Sequence, residues 1–155
     1  MNIGELLVNV ITVLLFYFFI SRTFTLRRLH WICRGIGLML LFVLITLLNL
    51  MNIAPTITCV SGLICQILYT MVFAEGSRGA RLLIGGIPAL LAVVSDSVTF
   101  SVLGILFQDT SEALTVNSAI RSQALVIYIL TYCLLIWAVI QFFPQDLKFP
   151  GYFEG

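Results

Sequence analysis

Long apolar runs separated by short polar segments dominate the pattern along the chain. Five runs occur, at roughly 3–21, 35–53, 57–74, 82–107 and 119–143. Each is close to the roughly 20 residues that an α-helix needs to cross about 30 Å of hydrocarbon. The pattern therefore predicts an all-α fold, a polytopic transmembrane helical bundle with five spans. We expect residues 1–145 to form the bundle and residues 146–155 to form a short cytoplasmic tail.

Composition supports the membrane class and excludes a soluble one. Hydrophobic residues make up 61% of the chain and charged residues 10%, with a mean hydropathy of +1.12, whereas soluble domains are about 25% charged. The polar segments are short, and none contains a Gly-rich nucleotide loop or a polar helix with a histidine. We therefore expect no enzyme activity, no cofactor and no nucleic-acid partner, with the lipid bilayer as the surroundings of the bundle.

The basic residues concentrate in two of the polar segments between runs. These cytoplasmic basic loops contain Arg22, Arg27, Arg28, Arg34, Arg78 and Arg81. Because loops rich in arginine and lysine stay on the inner side of a membrane, the pattern predicts an N-terminus outside and a C-terminus inside.

Two further expectations concern residues near the ends of the spans. In the first basic loop, Leu26 and Cys33 fall on one side of a helix and Arg27 on another, which predicts a short helix at the membrane interface. Arg121 lies at the outer end of the fifth run, where it is expected to snorkel to the headgroups or to pair with Asp109 or Glu112.

The cysteines and the single histidine carry no recognisable chemistry. No CxxC spacing occurs among the cysteines, and no histidine or carboxylate stands at metal-ligand spacing from them. His30 lacks neighbours of the kind that a catalytic or metal-binding histidine needs. The sequence therefore predicts no metal site and no catalytic residue.

The fourth run contains a predicted hinge. Pro88 removes a backbone donor and crowds the carbonyl of Ile84, and Gly85 and Gly86 stand just before it. These features favour a kink in the inner third of the span.

Asp96 lies in the middle of the same run, where an ionisable residue normally faces the bundle interior and marks a functional site. Counting residues from the ends of each run places it near the membrane midplane, at a depth similar to that of Gln66. We expect a buried polar layer in which Gln66 donates to Asp96. Its members are Asp96, Gln66, Ser95, Ser97, Thr99, Thr131 and Tyr132. The alternative is that these groups only hold the helices together.

A stripe of small residues follows Asp96 along the same helix. Ser97, Ser101 and Gly104 permit close helix packing, either within the chain or between two copies of it.

Several elements in combination resemble a known family. They are Phe73, Glu75, Gly76 and Ser77 closing the third run, Arg81-Leu82-Leu83 opening the fourth, Ser95-Asp96, and Asn117-Ser118 before Arg121. The region 1–145 resembles the membrane sensor region of GHKL-type histidine kinases, the accessory-gene-regulator-like group common in Firmicutes. One departure is Asp96, where that family tends to have glutamate.

The resemblance implies a membrane-embedded signal-sensing module of a bacterial two-component system, in the cytoplasmic membrane. Its partners would be a second copy of itself or a cytoplasmic kinase or other output protein, and its ligand is unknown. The kinase domain of that family has no counterpart in these residues. Two alternatives remain: a small membrane transporter or substrate-binding membrane component, and a structural subunit of a membrane complex.

Overall fold

The computed structural model describes residues 3–28, 31–51, 55–107 and 118–142. In these ranges the regular structure is entirely helical. The helices are α1 (Ile3–Thr23), α2 (Trp31–Leu50), α3 (Pro55–Phe73), α4 (Arg78–Gly85), α5 (Ile87–Phe107) and α6 (Ser118–Phe142). The proposed tail, residues 146–155, lies outside the described residues, as does His30.

Five helical segments are long and apolar enough to cross a membrane, with α4 and α5 together forming the fourth. The all-α class and the predicted count of five potential spans are therefore confirmed. The second helix begins at Trp31, earlier than the predicted start of the second apolar run. The third begins at Pro55, a favourable first position because the missing proline N–H would have no helical partner there.

The five spans form a closed ring. Contacts join α1 to α2, α2 to α3, α3 to α4 and α5, α5 to α6, and α6 back to α1. Each span thus has two neighbours in the ring, and one face of each helix is directed to the interior.

Both basic loops lie at the same end of the ring, which we call the arginine end. The backbone N–H of Arg27 donates to the carbonyl of Phe73 at 2.9 Å, and that of Glu75 donates to the carbonyl of Thr25 at 2.8 Å. These bonds form an antiparallel bridge between Leu26 and Ala74. The loop after α1 is therefore tied to the loop after α3.

This bridge corrects the expected interfacial helix. Residues 24–28 are not helical, and α2 begins only at Trp31. The reason is that the backbone around Leu26 pairs with the other loop, while Phe24 is only 1% exposed and packs into the core. These tertiary contacts outweigh a weak local helical pattern.

Aromatic and aliphatic side chains fill the half of the ring nearest the arginine end. Phe16 packs edge-on against Tyr69, with ring centroids 5.4 Å apart. Members of this core include Phe16, Phe19, Ile20, Phe24, Tyr69, Ile84, Tyr132 and Ile136. The other half of the ring, which we call the far half, is less completely filled.

The fourth span is interrupted at the position of the predicted hinge. Ser77 caps α4 by accepting a hydrogen bond from the N–H of Ala80 at 3.3 Å, and α4 ends at Gly85. Gly86 separates it from α5, in which Pro88 is fully buried. A Cβ atom on Gly85 would lie 2.8 Å from the Thr70 hydroxyl oxygen. The glycine therefore allows α4 and α3 to approach closely, and hinge motion at this elbow stays a prediction.

Candidate binding cavity

A cavity of about 330 Å³ lies in the far half of the ring, and all five spans contribute to its wall. Its polar lining residues are Asn9, Thr12, Asn49, Thr58, Gln66, Asp96, Thr99 and Tyr128. Small and apolar residues, among them Gly62 and Leu103, make up the rest of the wall. An apolar pocket with a few convergent polar groups is the usual form of a small-molecule site.

Close packing of α3 against α4 sets the depth of the polar groups in this cavity. The Gly85–Thr70 contact joins two antiparallel segments, so Ala89 on α5 comes level with Gln66 on α3. Continuing this register brings Asp96 level with Cys59. The electrostatic interaction between Asp96 and Cys59 agrees with it.

Asp96 and Gln66 therefore line the same cavity at different depths. Gln66 follows Cys59 by seven residues, which is about 10 Å along a helix. No hydrogen bond joins the two side chains, both of which are described, and the Gln66 side-chain oxygen is buried with no partner among the described residues. The expected donation from Gln66 to Asp96 is thus not made. The sequence-based estimate of equal depth is wrong because it counted residues from the ends of each run. In the structure, α5 extends beyond the level at which α3 begins.

Asp96 lines the cavity wall but is exposed, so the expectation that it is a buried member of the polar layer is wrong. Within the described ranges, no ion pair includes it, and no arginine, lysine or histidine lines the cavity. Eleven residues of α5 follow it, which places it about 16 Å from the far end of that helix. The result is an exposed carboxyl group on the cavity wall, well inside the length of its helix, without a basic partner from the described part of the chain.

The other members of the expected layer do not form one buried set. Thr99 is buried and lines the cavity, while Ser95 is buried away from it. Ser97 is exposed, Thr131 is half-buried, and Tyr132 is buried with its hydroxyl unpartnered by any described residue. The structure thus brings together Asp96, Gln66 and Thr99 but not the remaining four.

A local effect explains why the serines and threonines need no common layer. Ser95, Ser97 and Thr99 each donate to the carbonyl one turn earlier, at 2.8, 3.0 and 2.8 Å respectively. A hydroxyl that donates to its own helix has no need of an interhelical acceptor.

The small-residue stripe of Ser97, Ser101 and Gly104 also forms no contact with another described helix. Ser101 is exposed, and a Cβ atom on Gly104 would meet nothing within 4 Å, so the stripe packs against no other described helix.

An amide cluster that the sequence interpretation missed forms part of the cavity wall. Asn49 Nδ2 donates to Asn9 Oδ1 at 3.0 Å, and Asn9 Nδ2 donates to Thr46 Oγ1 at 3.4 Å. Asn9 is buried, and the cluster ties α1 to α2. The available signal was an asparagine inside each of two apolar runs, but only the packing of α1 against α2 identifies them as partners.

Tyr128 is a second missed residue, and it forms an aromatic part of the wall. Its ring stacks on that of Tyr132, with centroids 5.9 Å apart. Its side chain also interacts with Thr12 and lies within electrostatic range of Asp96. Tyr128 and Asp96 therefore line the same cavity.

The arginines of the two basic loops differ in their surroundings. Arg81 is buried, and its Nη1 donates to the carbonyl of Met71 at 2.7 Å and to that of Ala74 at 3.5 Å. Arg22 lies over the ring of Phe18. Arg22, Arg27, Arg28 and Arg78 are exposed, and Arg34 is half-buried.

Arg121, at the far end of the ring, pairs with Glu5. This partner differs from the expected Asp109 or Glu112, both of which lie outside the described residues. Glu5 comes close because α1 and α6 are neighbours in the ring, a relationship that sequence order does not reveal.

Comparison of the chain with protein-family models, curated proteins and solved structures gives no match.

Proposed function

We propose that the chain is a membrane-embedded signal-receiving module whose ligand enters the cavity in the far half of the ring. The observation that carries this proposal is the convergence of all five spans on one cavity that contains a carboxyl group without a described basic partner. Intramembrane acids of this kind mark binding or relay sites. The resemblance to the sensor region of GHKL-type histidine kinases favours a receiver.

A continuous set of contacts connects the cavity to the arginine end. Thr70 donates to the carbonyl of the cavity residue Gln66 at 2.8 Å and packs against Gly85 at the elbow between α4 and α5. One turn of α4 earlier, Arg81 holds the carbonyl of Met71. We propose that a ligand shifts the elbow, and that this shift alters the bridge between the two basic loops.

The proposal includes an orientation. The arginine end would face the cytoplasm and the cavity would face outward, since arginine-rich loops are retained inside. In a bacterial cytoplasmic membrane this arrangement would bring the ligand from outside. The two loops joined by the bridge, at the arginine end, would then be accessible to an output partner, either a cytoplasmic kinase or a second copy of the chain.

The test fills the cavity covalently and observes the arginine end. Cys59 lines the cavity, so replacing Cys33, Cys65 and Cys133 with serine leaves one thiol there. The purified full chain is treated with N-ethylmaleimide, and amide hydrogen exchange is measured over residues 24–28 and 73–81. We expect modification of Cys59 to change exchange at the amides of Arg27 and Glu75, which form the bridge.

A matched control places the thiol outside the cavity. Thr56→Cys in a Cys59→Ser background puts it on the same helix at an exposed position that does not line the cavity. Modification there should leave exchange at the bridge unchanged. Complete modification of Cys59 with no change at the bridge contradicts the proposal.

A transporter is the second candidate, favoured by the combination of Asp96 with an interrupted helix. Proton flux into proteoliposomes that is lost in Asp96→Asn would support transport and count against a receiver. A structural subunit of a membrane complex predicts neither flux nor a response at the arginine end.

A further inference from the structure

The described lining of the cavity contains an acidic side chain and no basic one, which favours a positively charged ligand. Among the residues that the structure describes, Asp96 is the single acidic side chain in the cavity wall, and no basic side chain lines it. Arg121, in the first turns of α6, is paired with Glu5. A carboxylate at membrane depth is costly unless water or a positive group accompanies it. A cationic ligand would supply the positive charge that the described lining residues lack.

A second, independent observation favours a ligand that donates hydrogen bonds. Gln66 lines the cavity and is only 3% exposed, and no described residue donates a hydrogen bond to its side-chain oxygen. A buried carbonyl oxygen without a donor is unfavourable, because it has lost the hydrogen bonds that water would make to it. The last torsion of a glutamine side chain has a broad, roughly two-fold preference, so a small rotation can direct this oxygen toward a donor in the cavity.

The wall between these two groups is suited to an apolar body. Tyr128 and Phe100 line the same cavity as Asp96. Aromatic faces attract organic cations as well as apolar surface. Gln66 lies about 10 Å farther along the ring axis, so the acceptor groups stand at the two ends of an elongated, mostly apolar space.

We propose that the cavity takes a small organic ammonium ion with an apolar or aromatic body and a second hydrogen-bond donor at its other end. The ammonium group pairs with the Asp96 carboxylate beside Tyr128, the body fills the apolar wall, and the distal donor bonds the Gln66 side-chain oxygen. This ligand class rests on the proposed function, because it assigns the molecule that the receiver detects.

Three related compounds test the assignment. Tyramine has an ammonium group and a phenolic donor at opposite ends, phenethylamine lacks the phenol, and 3-(4-hydroxyphenyl)propionate replaces the ammonium with a carboxylate. Equilibrium binding of tritiated tyramine to the purified full chain is measured, with the other two as competitors. We expect saturable binding of tyramine, weaker competition by phenethylamine and no competition by the propionate.

Two variants and one control locate the binding groups. Asp96→Asn preserves the shape of the side chain and should weaken tyramine binding at least tenfold. Gln66→Met removes the acceptor and should abolish the preference for tyramine over phenethylamine. Ser97→Ala, next to Asp96 but outside the cavity wall, should leave binding unchanged. Equal competition by the propionate, full binding in Asp96→Asn, or no saturable binding up to the millimolar range overturns the assignment.

The outcomes separate this inference from the function on which it rests. Tyramine binding that requires Asp96, without any effect of Cys59 modification on the bridge, supports the ligand class and contradicts the receiver. A response of the bridge to Cys59 modification, without amine binding, supports the receiver and contradicts the ligand class.

Discussion

Gly85 and Thr70 meet so closely that a Cβ atom on the glycine would lie 2.8 Å from the threonine hydroxyl oxygen. The Thr70 hydroxyl donates to the carbonyl of Gln66 at 2.8 Å, so rotating it away from Gly85 would break this hydrogen bond. This contact sets the register between α3 and the fourth span, and with it the depth of the cavity residues.

Gly85→Ala should therefore destabilise the bundle. Overpacking of a close contact costs about 1–3 kcal/mol, which outweighs the gain of up to about 1 kcal/mol in helix propensity. Thermal unfolding in detergent measures the effect. Gly104→Ala is the matched control, since nothing lies within 4 Å of the added atom, and it should be neutral or stabilising. Equal stability of the two variants would show that the close contact between Gly85 and Thr70 does not constrain the packing of α3 against the fourth span.

Arg81→Gln should destabilise the arginine end. The guanidinium donates to the carbonyls of Met71 and Ala74 near the end of α3, where helix carbonyls lack partners. Hydrogen bonds to charged groups contribute about 1.5–3 kcal/mol. We expect a lower unfolding temperature and faster amide exchange over residues 73–77. Arg78→Gln removes an exposed arginine three residues earlier and should leave both unchanged. A similar loss in both variants would indicate a general effect of charge.

The Asn9–Asn49 bond should contribute measurable coupling between α1 and α2. Asn9→Leu and Asn49→Leu each remove it, and the double variant should lose less stability than the sum of the two. Interhelical bonds in membranes contribute about 0.6–2 kcal/mol. A double-mutant cycle from reversible unfolding in detergent measures the coupling. Strict additivity would mean that the 3.0 Å bond does not stabilise the bundle.

The Glu5–Arg121 pair should contribute little to stability. Both side chains are partly exposed, at 21% and 50%, and exposed ion pairs contribute about 0–1 kcal/mol. Glu5→Gln should therefore lower stability slightly at low salt and not at high salt. The swap Glu5→Arg with Arg121→Glu should recover the loss of either single reversal. A large loss in Glu5→Gln at high salt would be contrary to a screened surface pair.

Several features follow from the pattern of residues alone. Five apolar runs of spanning length are sufficient to predict five helices, because a backbone in hydrocarbon must satisfy its hydrogen bonds internally. Pro88 with Gly85 and Gly86 indicated the position at which the fourth span is interrupted. Asp96 stood out because an acid inside an apolar run is rare. Each of these inferences depends on local chemistry or on composition.

Packing decided the relationships among distant residues. The Gly85–Thr70 contact, rather than distance from the helix ends, determines that Gln66 and Asp96 lie at different depths. Closure of the ring brings Glu5 close to Arg121. The pairing of the two loops places Leu26 in a bridge with Ala74, where a helix was expected. The sequence by itself determined which segments are helices and that an acid lies among them. Only the tertiary structure decided which groups share the cavity, since helix register and neighbour order depend on contacts between residues far apart in the chain.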